Sequence, residues 1–267
     1  MMAAMETKYL DGERGRLAWD EHGEGPVVIV AHGMARSRRA DRQYPPLWDD
    51  MAESGFRVVS YDAHGHGESS SRAVEHDFRW PQLAHDLLAL ADAVSPSEPV
   101  YAVGTSMGTG TIVHALTQRP ERFRSVTLAA PPTAWSTRPA QARVYRTIAS
   151  DVATKTETEF HQEWVSGPRA PIFTEAPPSI VPHVAFDLIA TMMHGCANSD
   201  LPAPELVAQI TVPALILAWA TDPAHPLSTA QELARLMPHA TMRVAETLEA
   251  ISAWPAQAAQ FFGRVAS

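Results

Sequence analysis

The sequence predicts an α/β protein: a mostly parallel, doubly wound sheet of eight strands, with a helical cap inserted late in the chain. Three observations predict it. Short apolar runs such as Val27-Val28-Ile29-Val30-Ala31 alternate with amphipathic helical stretches, and continuous apolar strands suit a sheet covered on both faces. The chain has 267 residues, enough for one large core. The alternation breaks once, at Pro131-Pro132, and resumes near residue 205.

Taken in order, Thr7–Leu10 and Arg16–Asp20 read as strands around a turn at Asp11-Gly12. Val27–Ala31 is the first fully apolar strand. Trp48–Ser54 is a short helix closed by Gly55, and Phe56–Tyr61 is the next strand. Trp80–Val94 puts Leu83, Leu87, Leu90 and Val94 on one helical stripe. Pro81 falls in the first turn, where its missing N–H costs nothing. A strand from Val100 ends in Gly104-Thr105-Ser106-Met107-Gly108, and a helix runs on to about Gln118. Ser125–Ala130 is another strand. From residue 131 to 204 the chain is rich in proline, with helical pieces at Ala140–Ala153 and Thr156–Val165. Apolar Trp135, Trp164, Phe173, Phe186, Met192 and Met193 lie in the same stretch. It is expected to form a cap over a core built from 1–130 and 205–267; plain connecting helices are the alternative. Strand Val212–Ala220, helix Thr229–Met237, strand Thr241–Ala245 and helix Trp254–Val265 complete the pattern.

Composition narrows the function classes. With 21 basic and 30 acidic residues the formal net charge is -9, which disfavours a nucleic-acid surface. The basic cluster Arg36-Ser37-Arg38-Arg39 is too small to reverse that. It reads as a solvated loop, with contact to an anionic substrate as the alternative. One cysteine, Cys196, allows no internal disulfide and fits a reducing compartment; nothing nearby activates it as a nucleophile. Met1 to Arg16 holds no apolar leader core, and the longest apolar runs are too short to span a bilayer. A cytoplasmic protein with no membrane partner is expected.

The stretch Gly104 to Gly108 carries the chemistry. A G-x-S-x-G between a strand and a helix forms a tight turn that raises the serine to the sheet's C-terminal edge. Small residues two before and two after the serine make the turn possible. The N–H of Met107 opens the helix, where a developing oxyanion is stabilised. No metal is expected: His64-Gly65-His66 could mimic a ligand pair, but no carboxylate or cysteine cluster completes it. The glycines from Gly104 to Gly110 surround a serine and do not spell G-x-G-x-x-G, so no dinucleotide and no other cofactor is implied.

Three motifs in this order, His32-Gly33, Asp62 to Ser69 and Gly104 to Gly108, resemble the α/β-hydrolase fold superfamily. Within it the chain is similar to capped single-domain hydrolases, which include small esterases, lactonases and C–C hydrolases. The resemblance implies a second oxyanion N–H at Met34. It also implies a structural D-x-x-G-H-G-x-S loop at Asp62 to Ser69, with His64 where arginine is common and His66 packed rather than catalytic. Asp222, in Ala220-Thr221-Asp222-Pro223-Ala224-His225-Pro226, takes the slot of the acid.

One part of the pattern departs. The family places its catalytic histidine after the eighth strand, and Arg243 to Pro255 contains none. Anchoring on Pro255 puts Leu248 in that slot, or Thr247 or Glu249 with a shifted loop. His239 precedes the eighth strand, at the wrong end of the sheet. A serine without a positioned base is a poor nucleophile. Three histidines are candidates: His225, three residues after Asp222; His194, descending from the cap; and His32, beside the oxyanion turn. The expected function is a serine hydrolase of a small, apolar ester, thioester or lactone. Ser106, Asp222 and His225 are its catalytic set, and Met34 and Met107 hold the oxyanion. The alternative is a non-hydrolytic or degenerate relative that binds a small molecule or runs elimination or cyclisation chemistry. A small-molecule substrate is the expected partner, and a homodimer is left open.

Overall fold

A computed structural model describes residues 5–176 and 179–266. The first four residues, Ser267 and the Pro177-Pro178 pair of the proline-rich stretch lie outside the described residues. The eight strands are β1 (Lys8–Gly12), β2 (Gly15–His22), β3 (Val27–Ala31), β4 (Arg57–Tyr61), β5 (Val100–Thr105), β6 (Phe123–Ala129), β7 (Ala214–Trp219) and β8 (Ala240–Ala245). They form one sheet in the order β1-β2-β4-β3-β5-β6-β7-β8. The first two pairings, β1 with β2 and β2 with β4, are antiparallel. Every pairing from β4 onward is parallel. β7 begins at Ala214 rather than Val212 because Pro213 has no N–H to give a ladder.

Side-chain alternation explains why both faces need helices. Val27, Ile29 and Ala31 of β3 enter one core, and Val28 and Val30 enter the other. The first core is closed by α1 (Trp80–Val94) and α2 (Met107–Gln118). Leu83, Leu87 and Leu90 of α1 are almost fully buried there, each worth roughly 2 kcal/mol of apolar transfer. On the opposite face Trp48 and Met51 pack with Phe262 of the C-terminal helix. Trp48–Ser54 is wound as a 3-10 helix, and Gly55 closes it at φ 83.

Between β6 and β7 lie α3 (Arg138–Val152), α4 (Glu157–Ser166) and α5 (Phe186–Ala197). The sequence pattern marks only isolated apolar residues in the last of these; it is a helix that buries Ile189, Met192 and Met193. The two ends of this segment are tied together. Arg138, buried, donates to the carbonyls of Ser199 at 2.6 Å and Cys196, and lies over the Trp80 ring. Trp135 donates its indole N–H to the Pro202 carbonyl at 3.0 Å. The segment is also stitched to the sheet edge: His183 N–H donates to Ala35 O at 2.9 Å, and Gly67 N–H donates to His183 O at 2.7 Å. After β7 come α6 (Leu227–Leu236), α7 (Leu248–Ser252) and α8 (Trp254–Ala266).

The basic cluster is not a solvated loop. Arg38 is buried, with its guanidinium on Asp20 at 2.8 Å and on Asp62 and Glu68, while Arg39 stays at the surface. Truncating a partner of such a buried network typically costs about 3–5 kcal/mol. Among the described residues no helix is long and apolar enough to cross a membrane. Nor, among them, are three or more His, Cys, Asp or Glu placed to hold a metal ion.

Candidate active site

The site begins with a steric demand at the end of β5. A Cβ on Gly104 would lie 2.4 Å from the carbonyl of Gly108, and one on Gly108 would lie 2.0 Å from the Ala31 carbonyl oxygen. Only glycine fits at both positions, so the G-x-S-x-G spacing follows from the closeness of the turn to β3. Ser106 is held at φ 54 and ψ -108, a conformation that costs a non-glycine residue on the order of 1–3 kcal/mol. Backbone bonds hold it there: Ser106 N–H donates to Ala129 O at 3.0 Å, and Gly110 N–H donates to Ser106 O at 3.1 Å. Met107 is the first residue of α2.

A second turn faces it. Arg36 N–H donates to Gly33 O at 3.2 Å, closing Gly33-Met34-Ala35-Arg36 with Ala35 at φ 59. A Cβ built on Gly33 would sit 3.8 Å from Ser106 Cβ, so Met34 follows a residue that touches the serine. Neither Met34 N–H nor Met107 N–H meets a carbonyl among the described residues.

The Asp62 to Ser69 loop braces this turn. Ala35 N–H donates to His66 Nε2 at 3.3 Å, which puts the His66 proton on Nδ1, facing the His64 carbonyl at 2.9 Å. Burial and the neighbouring His32 push the His66 pKa down to about 3, so it stays neutral. Burial likewise lowers His64 to about 4, against the pull of Asp77. His32 is used in the same way. Its Nε2 accepts from Ala63 N–H at 2.9 Å, and its Nδ1–H donates to Gly33 O at 2.7 Å. With both nitrogens bonded, His32 is not a free base.

The acid and an imidazole come together on the loop after β7. Thr221, β-branched, sits at φ 66, a strained turn that delivers Asp222. Ala224 N–H donates to Asp222 Oδ1 at 2.9 Å, and His225 N–H to the Asp222 carbonyl at 3.1 Å. Pro223 and Pro226 stiffen the loop on both sides of these bonds. His225 Nδ1 lies 2.7 Å from Asp222 Oδ2, and its Nε2 lies 2.7 Å from Ser106 Oγ. A carboxylate only accepts, so the proton is on Nδ1 and Nε2 is left to accept from the serine. Burial raises the Asp222 carboxyl, but hydrogen bonds from His225, Ala224 and Trp219 outweigh it and hold it below its ordinary value.

Trp219 is the residue that pattern reading missed. Its indole N–H donates to Asp222 Oδ2 at 3.1 Å, and its ring meets His225 edge-on at 5.1 Å. Trp254 stacks behind it at 5.7 Å. In the sequence Trp219 is one more apolar residue of a strand, and nothing local signals where its N–H points. Ser106, Asp222, His225, Met34 and Leu248 all border one cavity of about 590 Å³. His194 does not: it lies in the last turn of α5, near Glu75 and outside this cavity, so it cannot serve the serine. Cys196 is buried and its thiol is pushed up to about 12 by that burial. A serine hydroxyl on an imidazole whose far nitrogen donates to a carboxylate is an arrangement suited to nucleophilic attack on a carbonyl.

Comparison with known proteins adds family context. The family model Hydrolase_4, described as serine aminopeptidase of family S33, matches residues 24–249. The chain is 28% identical over 226 residues to 3-oxoadipate enol-lactonase 2 of Acinetobacter baylyi, covering 83% of this chain and 80% of that protein. Among solved structures, a hydrolase from Pseudomonas aeruginosa superposes with a TM-score of 0.79 at 20% identity, over 98% of this chain and 100% of that one. A thermophilic esterase from Thermogutta terrifontis superposes with a TM-score of 0.77 at 18% identity, over the same shares.

Proposed function

The chain belongs to the Hydrolase_4 family of α/β hydrolases, and from that premise we propose that it is a serine hydrolase of small carboxylic esters, thioesters or lactones. One observation carries the proposal: His225 bridges Asp222 and Ser106 at 2.7 Å on each side. Ser106 Oγ attacks the carbonyl carbon while His225 Nε2 takes its proton. The oxyanion sits between the N–H groups of Met34 and Met107, and such a donor is worth about 3 kcal/mol in the transition state. His225 then gives the proton to the leaving oxygen or sulfur. A water, deprotonated by the same nitrogen, frees the acyl group from Ser106. Asp222 stays ionised and holds the imidazole in the useful tautomer.

The cavity wall supports an apolar substrate body, with Trp48, Tyr145, Ile148, Phe173 and Leu248 around the serine. The enol-lactonase relative bears a lactone in its name, which favours including lactones. The non-hydrolytic alternative rested on a missing base, and an imidazole on the Ser106 hydroxyl weakens that ground.

The test is turnover of 4-nitrophenyl butyrate with fluorophosphonate labelling. Parent protein is expected to hydrolyse the ester and to be labelled at Ser106, and Ser106→Ala to lose both. Equal rates in parent and variant, or an unlabelled Ser106 in active protein, would sink the proposal.

A further inference from the structure

We propose that the substrate carries a free carboxylate, bound by Arg36 at one end of the cavity; this rests on the serine-hydrolase assignment above and deepens it. Arg36 borders the same cavity as Ser106. Arg36 and Ser106 flank Gly33: a Cβ built there would lie 3.8 Å from Arg36 Cγ and 3.8 Å from Ser106 Cβ. Its backbone belongs to the turn that carries Met34, so the guanidinium and the oxyanion turn move together.

The guanidinium is placed but not used up. Nε donates to Asp41 Oδ1 at 2.8 Å, and one terminal nitrogen, Nη2, donates to the Ala40 carbonyl at 3.1 Å. The Tyr44 ring lies beneath it at 5.1 Å. Among the described residues Nη1 meets no protein acceptor, although it is not sealed from solvent. A guanidinium held through Nε and Nη2 and backed by an aromatic face keeps its Nη1 N–H groups for an anion. Both bonds also lower the entropy lost when that anion binds.

Asp41 weakens the local field, as it borders the cavity too. It also keeps an unoccupied Arg36 from being an isolated charge in an apolar wall. The cavity holds a second cation, Arg169, on the loop after α4, with Nη2 on the Ala176 carbonyl at 2.9 Å. The lining sets Arg36 and Arg169 against Asp41 and Asp222, so an anionic substrate meets no excess of negative charge there. A short carboxylate-bearing ester or lactone fits the apolar wall, the reactive serine and the Nη1 edge together.

The experiment compares matched pairs of esters. Mono-4-nitrophenyl glutarate is set against 4-nitrophenyl pentanoate, and 4-acetoxybenzoate against methyl 4-acetoxybenzoate, so that the anion is tried on either side of the ester. Parent protein should favour the anion in at least one pair by roughly 10- to 100-fold in kcat/KM, the worth of a charge-assisted hydrogen bond. Arg36→Met should erase that ratio, Arg36→Lys should keep part of it, and Asp41→Asn should increase it. If no ester is turned over, the hydrolase assignment fails by itself, and binding of the same compounds to Ser106→Ala protein decides the subsite. Quenching of the cavity tryptophans by the nitrophenyl glutarate should then exceed quenching by the pentanoate, and Arg36→Met should abolish the difference. Neutral esters handled as well as anionic ones, with a ratio indifferent to Arg36→Met, would overturn the proposal.

Discussion

Two loops leave the sheet side by side, and the acid and the imidazole proposed for the site both stand on the first of them. β7 and β8 are parallel and end in register, Trp219 opposite Ala245, with Ala220 N–H donating to the Ala245 carbonyl at 3.0 Å. Three residues past one strand end stands Asp222; three residues past the other stands Leu248. The first loop carries both carboxylate and imidazole. The second carries no imidazole and begins α7 instead, with Thr247 Oγ1 accepting from Ala250 N–H. Neighbouring parallel strands point their C-terminal loops at one spot, so an imidazole delivered from either can reach the same serine. Geometry at the serine is what chemistry selects, and loop identity is free to change.

Substitutions test whether the first loop alone serves the serine. The largest effect is expected for His225→Ala, which should lower kcat/KM toward 4-nitrophenyl butyrate by roughly 10³-fold or more. Adding Leu248→His to that variant should recover at least about tenfold, because Leu248 borders the same cavity; no recovery would place the second loop out of reach of the serine. Asp222→Asn comes next, at roughly 10²–10⁴-fold, through loss of the tautomer that leaves Nε2 bare. Trp219→Phe keeps the ring and removes the N–H, and should cost about tenfold or less. With one donor gone the Asp222 carboxylate becomes the stronger acceptor, so the acid limb of the kcat/KM profile should move to higher pH. An unmoved limb would reduce Trp219 to packing.

A third loop bears on stability rather than on rate, and it separates acid inactivation from acid unfolding. His64 and His66 are buried neutral, with pKa values lowered to about 4 and about 3. The unfolded chain takes up protons below an ordinary histidine value of about 6.5, and the folded chain does not. Stability is therefore complete above that value and drains away as pH falls toward 4 and then 3. At pH 5 each histidine should cost roughly 2 kcal/mol by linkage. Urea melts at pH 7 and pH 5 measure the loss, and His64→Gln should remove its share. A midpoint insensitive to pH in the parent would contradict the assignment of both as neutral, buried groups.

How far the site was legible follows from how local each feature is. Gly104, Ser106 and Gly108 are readable because their constraint spans five residues and is steric. Asp222 is readable only through the family resemblance, which places an acid after the seventh strand. His225 leads three candidates through its nearness to Asp222, but the sequence does not single it out, since its decisive contact joins residues 119 apart. The Arg36 to Arg39 run was misread as solvated, because the acids that bury Arg38 come from separate segments at Asp20, Asp62 and Glu68. The helix Phe186–Ala197 hid inside a proline-rich composition. Trp219 was invisible as a donor, as strand periodicity reports which face a side chain takes and not where its N–H points.

The short turn from Asp222 to His225 has a consequence for the order of folding. Loop-closure entropy grows with the length of chain between partners, and these partners are three residues apart. The Asp222 to His225 pair can thus assemble as soon as β7 and the turn with Pro223 and Pro226 are in place. A base delivered from beyond β8 would have to wait for the last strand to dock. Only the Ser106 to His225 closure remains long-range, and it is completed by the same parallel pairing that builds the sheet. Hydrogen exchange during refolding should accordingly find the Ala224 and His225 amides protected no later than those of β8.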